Sequence, residues 1–367
     1  MSGTSLDGVD GVLVDLGPKS ASTLQVLAHV HHAFGATLRA DLLDLNASQP
    51  DELHRAALAA NGLAAAYAAV VLELLRSSGV SAGSVRAVGA HGQTVRHRPG
   101  EFDGHGYTVQ LQNAALLAEL TGIDVVADFR SRDIAAGGQG APLAPGFHRA
   151  LFARPGLDIA LLNLGGIANL TLLGAAGATL GFDCGPANAL MDHWCQKHLG
   201  QPFDAGGAWA ASGRLIEPLL TAMRSEPFFA LPPPKSTGRD LFHPDWLRRH
   251  LSSLAPREFD AKDVQHTLAE LTARVCADDL QRLAPETREL LVCGGGAANA
   301  HLMARLAALL PGVAVQSTDS RGLPPDQVEA CAFAWLAQRF VERKAGNLPA
   351  VTGARGPRVL GALYPAG

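Results

Sequence analysis

The sequence predicts an α/β protein built as two domains. Short apolar runs alternate with Ala- and Leu-rich helical segments along the whole chain. Glycine-rich turns adjoin apolar runs at three places, "SGTSLDG" (2–8), "NLGGIAN" (163–169) and "CGGGAAN" (293–299). At 367 residues the chain is long enough for two cores.

The elements follow in order. Val9–Leu16 reads as a strand and Leu24–His32 as a second. Glu52–Ser77 has helical periodicity, which Asn61-Gly62 threatens to break. Val85–Ala90 is a strand running into a loop, "HGQTVRHRPG". Gln110–Leu120 reads as helix and Ile123–Asp128 as strand. "RSRDIAAGGQGAPLAP" (130–145) reads as a long functional or mobile loop. The domain boundary is expected near Gly140–Asp158, giving domains of residues 1–145 and 146–367. The second begins with strands at Ile159–Leu164 and Leu170–Leu173 around a tight turn. Leu180–Asp183 is a third strand, with Pro186 at the first helical position and Gly200 closing that helix. "LPPPKSTGRD" (231–240) is loop. Lys262–Leu283 is helix. Leu290–Cys293, the third glycine turn and Ala300–Leu310 read as strand, turn and helix, Val313–Val315 as strand, and Pro325–Arg343 as a final helix.

Composition excludes several classes. The net charge of −4 offers no attraction for nucleic acid. No apolar run approaches the roughly 20 residues of a membrane span, and no basic-then-apolar leader opens the chain. The five cysteines (Cys184, Cys195, Cys276, Cys293, Cys331) contain no C-x-x-C pair. They read as buried small apolar residues in a reducing cytoplasm. "HVHH" (29–32) has no companion ligands and reads as strand. No glycine loop ends in lysine followed by Ser or Thr, so the common phosphate loop is absent.

Glycine lets backbone N–H groups approach an anion without a Cβ in the way. Thr4 and Ser5 add hydroxyl donors, and Asp7 adds a carboxylate suited to Mg2+. Taken singly, each turn is equally a plain hairpin or strand-to-helix connection. Together they point to a nucleotide.

Eight segments carry a more specific signal: "MSGTSLDGVD", "AHGQTVRH", "DFRSRDIAAGGQGAPLAP", "NLGGIANLT", "GFDCGPANALMD", "PKSTGRDLF", "LLVCGGGAAN" and "EACAFAWLA". In this order, over nearly the whole chain, they resemble the anhydro-N-acetylmuramic acid kinase family. The resemblance implies two related actin-like ATPase (ribonuclease H-like) domains with a nucleotide cleft between them; whether the final helix of the second packs back on the first is open. It implies that ATP, water and 1,6-anhydro-N-acetylmuramic acid give N-acetylmuramic acid 6-phosphate and ADP, in recycling of cell-wall sugar. By the same resemblance Gly3, Thr4, Ser5, Leu6, Asp7, Gly8, Val9 and Asp10 would cradle the terminal phosphates with Mg2+. Gly165 and Gly166 would approach from the second domain, and Gly294, Gly295, Gly296 and Asn299 would lie by the adenosine or α-phosphate. Another sugar or acetate kinase of that superfamily, or a catalytically dead nucleotide-binding protein, remains an alternative. Whether the chain acts as a homodimer is open.

The chemistry constrains the catalytic groups. Opening an anhydro bridge is glycoside cleavage, which ordinarily needs a base for water and an acid for the leaving oxygen. If the leaving O6 is captured by the γ-phosphoryl group, one carboxylate base suffices. Asp183, at a strand end in "GFDCGPAN", is that candidate, an ordinary carboxylate already ionised at pH 7. Its alternative is capping the helix that follows. The sugar's lactyl carboxylate calls for a cation. Arg130 is the candidate and Arg132 the weaker one, with salt bridges to Asp128 or Asp133 as the competing reading. His91, Gln93 and Glu329 are candidates for hydrogen bonds to the sugar. Lys235 has no role that the sequence assigns.

Family members carry residues before the first turn that form a strand leading into it. Losing about five such buried side chains, at roughly 1.5–3 kcal/mol each, removes on the order of 10 kcal/mol. The expectation is therefore that translation begins upstream, that Met1 is internal, and that the chain as written folds poorly.

Overall fold

The computed structural model describes the whole chain except Thr4, Ser5, residues 18–23, Arg239, Asp240, Ala255 and Arg257. The phosphate-turn hydroxyls of Thr4 and Ser5 thus lie outside the described residues. The chain forms two compact units. Residues 1–151 and 327–367 make the first, and residues 152–326 make the second.

In chain order the elements begin with β1 (Gly8–Asp15), β2 (Gln25–Ala33), α1 (Ala36–Asp44) and α2 (Glu52–Ser78). They continue with β3 (Val88–Gly89), β4 (Gln93–Pro99), β5 (Gly106–Leu111), α3 (Ala114–Thr121) and β6 (Val125–Ala127), then α4 (Ser131–Ala135) and α5 (Ala144–Phe152). The second unit holds β7 (Ile159–Leu164), β8 (Ile167–Leu173), β9 (Thr179–Pro186), α6 (Asn188–Leu199), α7 (Ala208–Ala211) and α8 (Glu217–Arg224). After these come α9 (Pro244–Ser253), α10 (Ala261–Leu283), β10 (Glu289–Cys293), α11 (Ala300–Leu309) and β11 (Ala314–Ser317). The chain then returns to the first unit with α12 (Val328–Val341), α13 (Pro349–Thr352) and β12 (Ala362–Tyr364).

In the first unit β1 pairs antiparallel with β2, and β4 with β5. A third sheet runs β12-β6-β3, with β3 parallel and β12 antiparallel to β6. Helix α2 supplies the core, burying Leu63, Tyr67, Val70 and Leu74 on one face. The histidines of β2 have structural partners: His31 meets Asp10 at 2.9 Å and His32 meets Glu73 at 2.8 Å.

The second unit is one five-stranded sheet in the order β11-β10-β7-β8-β9. Strands β7, β8 and β9 form an antiparallel meander, and β10 and β11 add parallel to β7. This order is the one a ribonuclease H-like unit requires. The long helix α10 packs on it, burying fourteen of its residues. The carboxyl ends of β7, β9 and β10 therefore share one sheet edge, where α/β proteins characteristically bind ligands.

Several local expectations are corrected. Asn61-Gly62 does not break α2, because Gly62 offers a close seat for Leu38 of α1 within an otherwise strong helix. "GQTVRHRPG" is mostly strand β4, not loop, because β5 pairs along it from Gln93 to Pro99. The expected helix at Gln110 starts only at Ala114, where Asn113 accepts from Leu116 N–H as a cap. Pro186 ends β9 instead of opening α6, whose preceding residue, Ala187, makes no side-chain cap bond. Helix α2 also corrects the reading of apolar runs. Its most apolar stretch has a mean hydropathy of 1.7, enough by length and composition alone to span a membrane, yet it is a packing helix with one buried face.

The 130–145 segment departs furthest from its expectation. It contains α4, and fully buried Asp133 staples it to the C-terminal segment. The Asp133 carboxylate accepts from Gly140 N–H at 2.8 Å, Asn347 Nδ2 at 2.6 Å and Thr352 Oγ1 at 2.8 Å. A buried carboxylate with three donors is satisfied, and the segment it holds is ordered.

Candidate active site

The second unit presents a carboxylate and two glycine turns on one sheet edge. Asp183 lies on β9 opposite Asn169 of β8, and Gly185 lies opposite Ala168. Cys184 is the extra residue of this bulge, a device that re-aims neighbouring side chains. Ser236 Oγ and Thr237 N–H each donate to Asp183 Oδ2 at 2.9 Å. The Asp183 N–H donates to the Lys235 carbonyl at 3.0 Å. Oδ1 has no partner among the described residues. Asp183 does not cap α6. Loss of hydration pushes its carboxyl up to about 6, against the pull of the two hydrogen bonds and the Lys235 charge. Burial thus raises this carboxyl above the ordinary carboxylate range expected from the sequence, and it remains mostly ionised at pH 7.

The Gly165–Gly166 turn joins β7 to β8, and its carbonyls accept from Ala187, Asn188 and Ala189 N–H. The N–H groups of Gly165 and Gly166 donate to no described group, and both residues are half-buried. Beside them, β10 pairs with β7 through Cys293 and Asn163. Gly294 follows at φ 77°, where a Cβ would lie 2.4 Å from Asn163 Oδ1. Backbone conformation and close approach both demand glycine there. Gly295 is different: a Cβ there would meet only Asn188 Nδ2, at 3.9 Å. Asn188 Nδ2 donates to the Leu164 carbonyl at 2.8 Å, between the two turns. Asn299 caps α11 by accepting from Leu302 N–H at 3.0 Å. Lys235, which the sequence left unassigned, is a buried core residue (1% side-chain exposure) paired with Asp279.

The first unit brings together Ser2, Gly3, His91, Gln93 and Arg130. Gln93 Nε2 donates to the Gly3 carbonyl at 3.0 Å, and Gln93 is buried. Its Oε1 is buried without a partner among the described residues, so an acceptor is held ready for a donor. His91 Nδ1 meets the Ser2 carbonyl at 3.1 Å, and Nε2 meets Arg130 Nε at 3.1 Å and Nη2 at 2.9 Å. This assigns the proton to Nδ1 and leaves Nε2 as acceptor. Burial and the Arg130 charge hold His91 well below its ordinary pKa, hence neutral. The Phe333 ring packs on it at 4.5 Å between centroids. His91 therefore orients Arg130, whose Nη1 also donates to the Gly140 carbonyl at 2.8 Å. Burial lowers the guanidinium to about 10, still charged at neutral pH. Two of its five donors have no partner among the described residues, one on each terminal nitrogen, a fork that fits a carboxylate. Arg132 is exposed.

Glu329, in the first turn of α12, retains solvent contact, and desolvation raises its carboxyl against the pull of Arg130. Asp7 is exposed. Asp10 is engaged by His31. Val9 is a core residue, Leu6 is buried, and Gly8 sits tightly against the His32 carbonyl across the β1–β2 pair.

Sequence reasoning missed Ser236 and Thr237, which hold the Asp183 carboxylate, and Asp133, which holds the Arg130 segment. "PKSTGRD" was visible as loop, but which carboxylate its donors serve depends on a contact 53 residues away in sequence.

A family model described as anhydro-N-acetylmuramic acid kinase matches residues 1–366. The protein of that name from Variovorax paradoxus (strain S110) is 62% identical over 372 residues, covering 100% of this chain and 98% of the relative. The protein of that name from Albidiferax ferrireducens (strain ATCC BAA-621 / DSM 15236 / T118) is 57% identical, covering 100% and 98%. One from Cupriavidus metallidurans (strain ATCC 43123 / DSM 2839 / NBRC 102507 / CH34) is 57% identical, covering 100% and 96%. The chain belongs to the anhydro-N-acetylmuramic acid kinase family.

Proposed function

We propose that Asp183 is the water-activating base of the reaction for which this family is named. The chain is an ATP-dependent kinase of peptidoglycan recycling. It opens 1,6-anhydro-N-acetylmuramic acid with water and places phosphate on O6. One observation carries the assignment of the base. Asp183 Oδ2 is held by two donors while Oδ1 stays open, on the sheet edge that carries both glycine turns of its unit. A carboxylate fixed at one oxygen and free at the other accepts a proton from water in a set direction. As water attacks C1, the bond to O6 breaks, and O6 takes the γ-phosphoryl group instead of a proton.

Around this step the other residues position and neutralise. The unpaired N–H groups of Gly165 and Gly166 suit phosphate oxygens, as phosphoryl transfer requires. The open backbone at Gly295 suits the nucleotide. The turn that includes Gly3 and Asp7 serves the terminal phosphates, with Thr4 and Ser5. In the first unit the Arg130 fork receives the lactyl carboxylate, and Gln93 Oε1 and Glu329 accept from the amide or hydroxyls of the sugar. Mg2+, where bound, supplies charge neutralisation at the phosphates. Asp7 is the exposed carboxylate suited to it, because Mg2+ in kinase sites keeps phosphate and water among its ligands.

Two experiments test this reading. Asp183→Asn abolishes turnover and leaves ATP binding within about twofold, since the phosphate-binding turns are untouched. Wild-type rates in that variant would remove Asp183 from its role. In oxygen-18 water the product carries label at C1. Unlabelled product would exclude the coupled hydrolysis and favour an ordinary sugar kinase.

A further inference from the structure

The loop 231–238 contains no regular element, yet it supplies both donors to the candidate base. Something must hold it still. The only charge that it buries among the described residues is Lys235, whose Nζ lies 2.9 Å from Asp279 Oδ2 of α10, with side-chain exposures of 1% and 4%. Nζ also lies 3.5 Å from the Phe229 carbonyl and over the rings of Phe228 and Phe182, 5.1 and 5.8 Å from their centroids. Phe182 precedes Asp183 on β9. Lys235 thus faces the core, and its ammonium is paired there.

We propose that Lys235 is a positioning residue: its buried ion pair with Asp279 pins residues 235–237 against β9, so that they clamp Asp183 at three points. The three points are the Lys235 carbonyl on Asp183 N–H, and Ser236 Oγ and Thr237 N–H on Oδ2. A buried ion pair adds little net stability, because desolvation of both charges offsets their attraction. Its value here is geometric. The pair fixes the loop's register on a helix, and the loop in turn fixes which carboxylate oxygen stays open. The inference rests on Asp183 being the base.

Lys235 also sets the electrostatics behind that base. The charged and titratable groups facing the pair are Arg282 of α10, bonded to the other Asp279 oxygen, Asp183 of β9, and the buried thiols of Cys184 and Cys276. The Lys235 charge favours the ionised form of Asp183.

The test compares wild type, Lys235→Met, Lys235→Met/Asp279→Leu and Asp183→Asn. The double variant removes both charges and keeps the core filled, so it folds even where the single variant does not. The expected result for the double variant is a kcat lower by about tenfold or more, because the clamp is lost. Its KM for ATP is unchanged, and the acid limb of its pH–rate profile moves to higher pH. A folded double variant with wild-type kcat and an unmoved acid limb overturns the proposal, as does a fall in melting temperature with the acid limb in place. Asp183→Asn separates the two claims. If it is dead while the double variant matches wild type, only the positioning role fails. If it turns over normally, the base assignment fails too.

Discussion

Asp183 holds two properties that oppose each other. Its carboxyl is pushed up to about 6 by burial, so ionising it costs the folded state. The folded pKa lies above the unfolded value of 3.8, so between about pH 4 and 6 the folded state binds more protons. Stability therefore falls as pH rises through that window, while Asp183 gains its charge. Activity should follow the opposite course, with kcat/KM dropping with unit slope below about pH 6 as Asp183 is protonated. A flat rate profile from pH 5 to 8 would contradict this. Asp183→Asn keeps the two hydrogen bonds and loses the charge. It should be more stable than wild type at pH 7.5, by about 1–2 kcal/mol once partial exposure is allowed for. Thermal unfolding at pH 5 and pH 7.5 reads it, with the gap between variant and wild type widest at the higher pH. In the first unit, Arg130→Lys removes the fork and the bonds to His91. The expected outcome is a KM for the anhydro sugar raised at least tenfold with ATP affinity intact, since a lysine cannot grip a carboxylate at two points.

At the scale of elements, the sequence carried information unevenly. Strands β1, β2, β7 and β10 and helices α10 and α12 were legible, because each is a long run of one periodicity bounded by turn residues. The carboxylate Asp183 and the glycine turns were legible as motifs. Strand β4 was not, because its Arg96, His97 and Arg98 look like loop until β5 is known to pair with them. The 130–145 segment was not, because its order comes from Asn347 and Thr352, more than 200 residues on. That staple makes a prediction. Asp133→Ala leaves the Gly140 N–H without its acceptor, and leaves the Asn347 amide and the Thr352 hydroxyl only their longer bonds to the Gly356 and Leu348 carbonyls, at 3.4 and 3.5 Å. It should cost about 3 kcal/mol or more by denaturant unfolding, and proteolysis should then cut within 136–143. Asp133→Asn, which keeps acceptor capacity at one oxygen, should cost less.

The molecule as a whole has a discontinuous first unit and a continuous second one. The second has its own core, running from Ala160 on β7 to Leu310 after α11 and drawn, among the described residues, from 152–326 alone. The first needs α12 against β1 and β3, and β12 on the edge of β6. Residues 152–326 expressed alone should therefore unfold cooperatively on heating. Residues 1–151 alone should show no cooperative transition, and adding residues 327–367 through a short flexible linker should restore it. Cooperative melting of residues 1–151 by themselves would show that α12 and β12 are dispensable to that unit.

This arrangement bears on how the chain is made. A ribosome adds roughly 5–20 residues per second, so about 10 s or more separate the emergence of Leu151 from that of β12. The inserted unit can settle during that interval. The segment carrying Ser2, Gly3, His91 and Arg130 cannot, because Phe333 and Asn347, which pack on His91 and Asp133, have not yet been synthesised. The part of the enzyme translated first is thus finished last. In a growing chain, the amino-terminal segment is the one that waits longest for its packing partners.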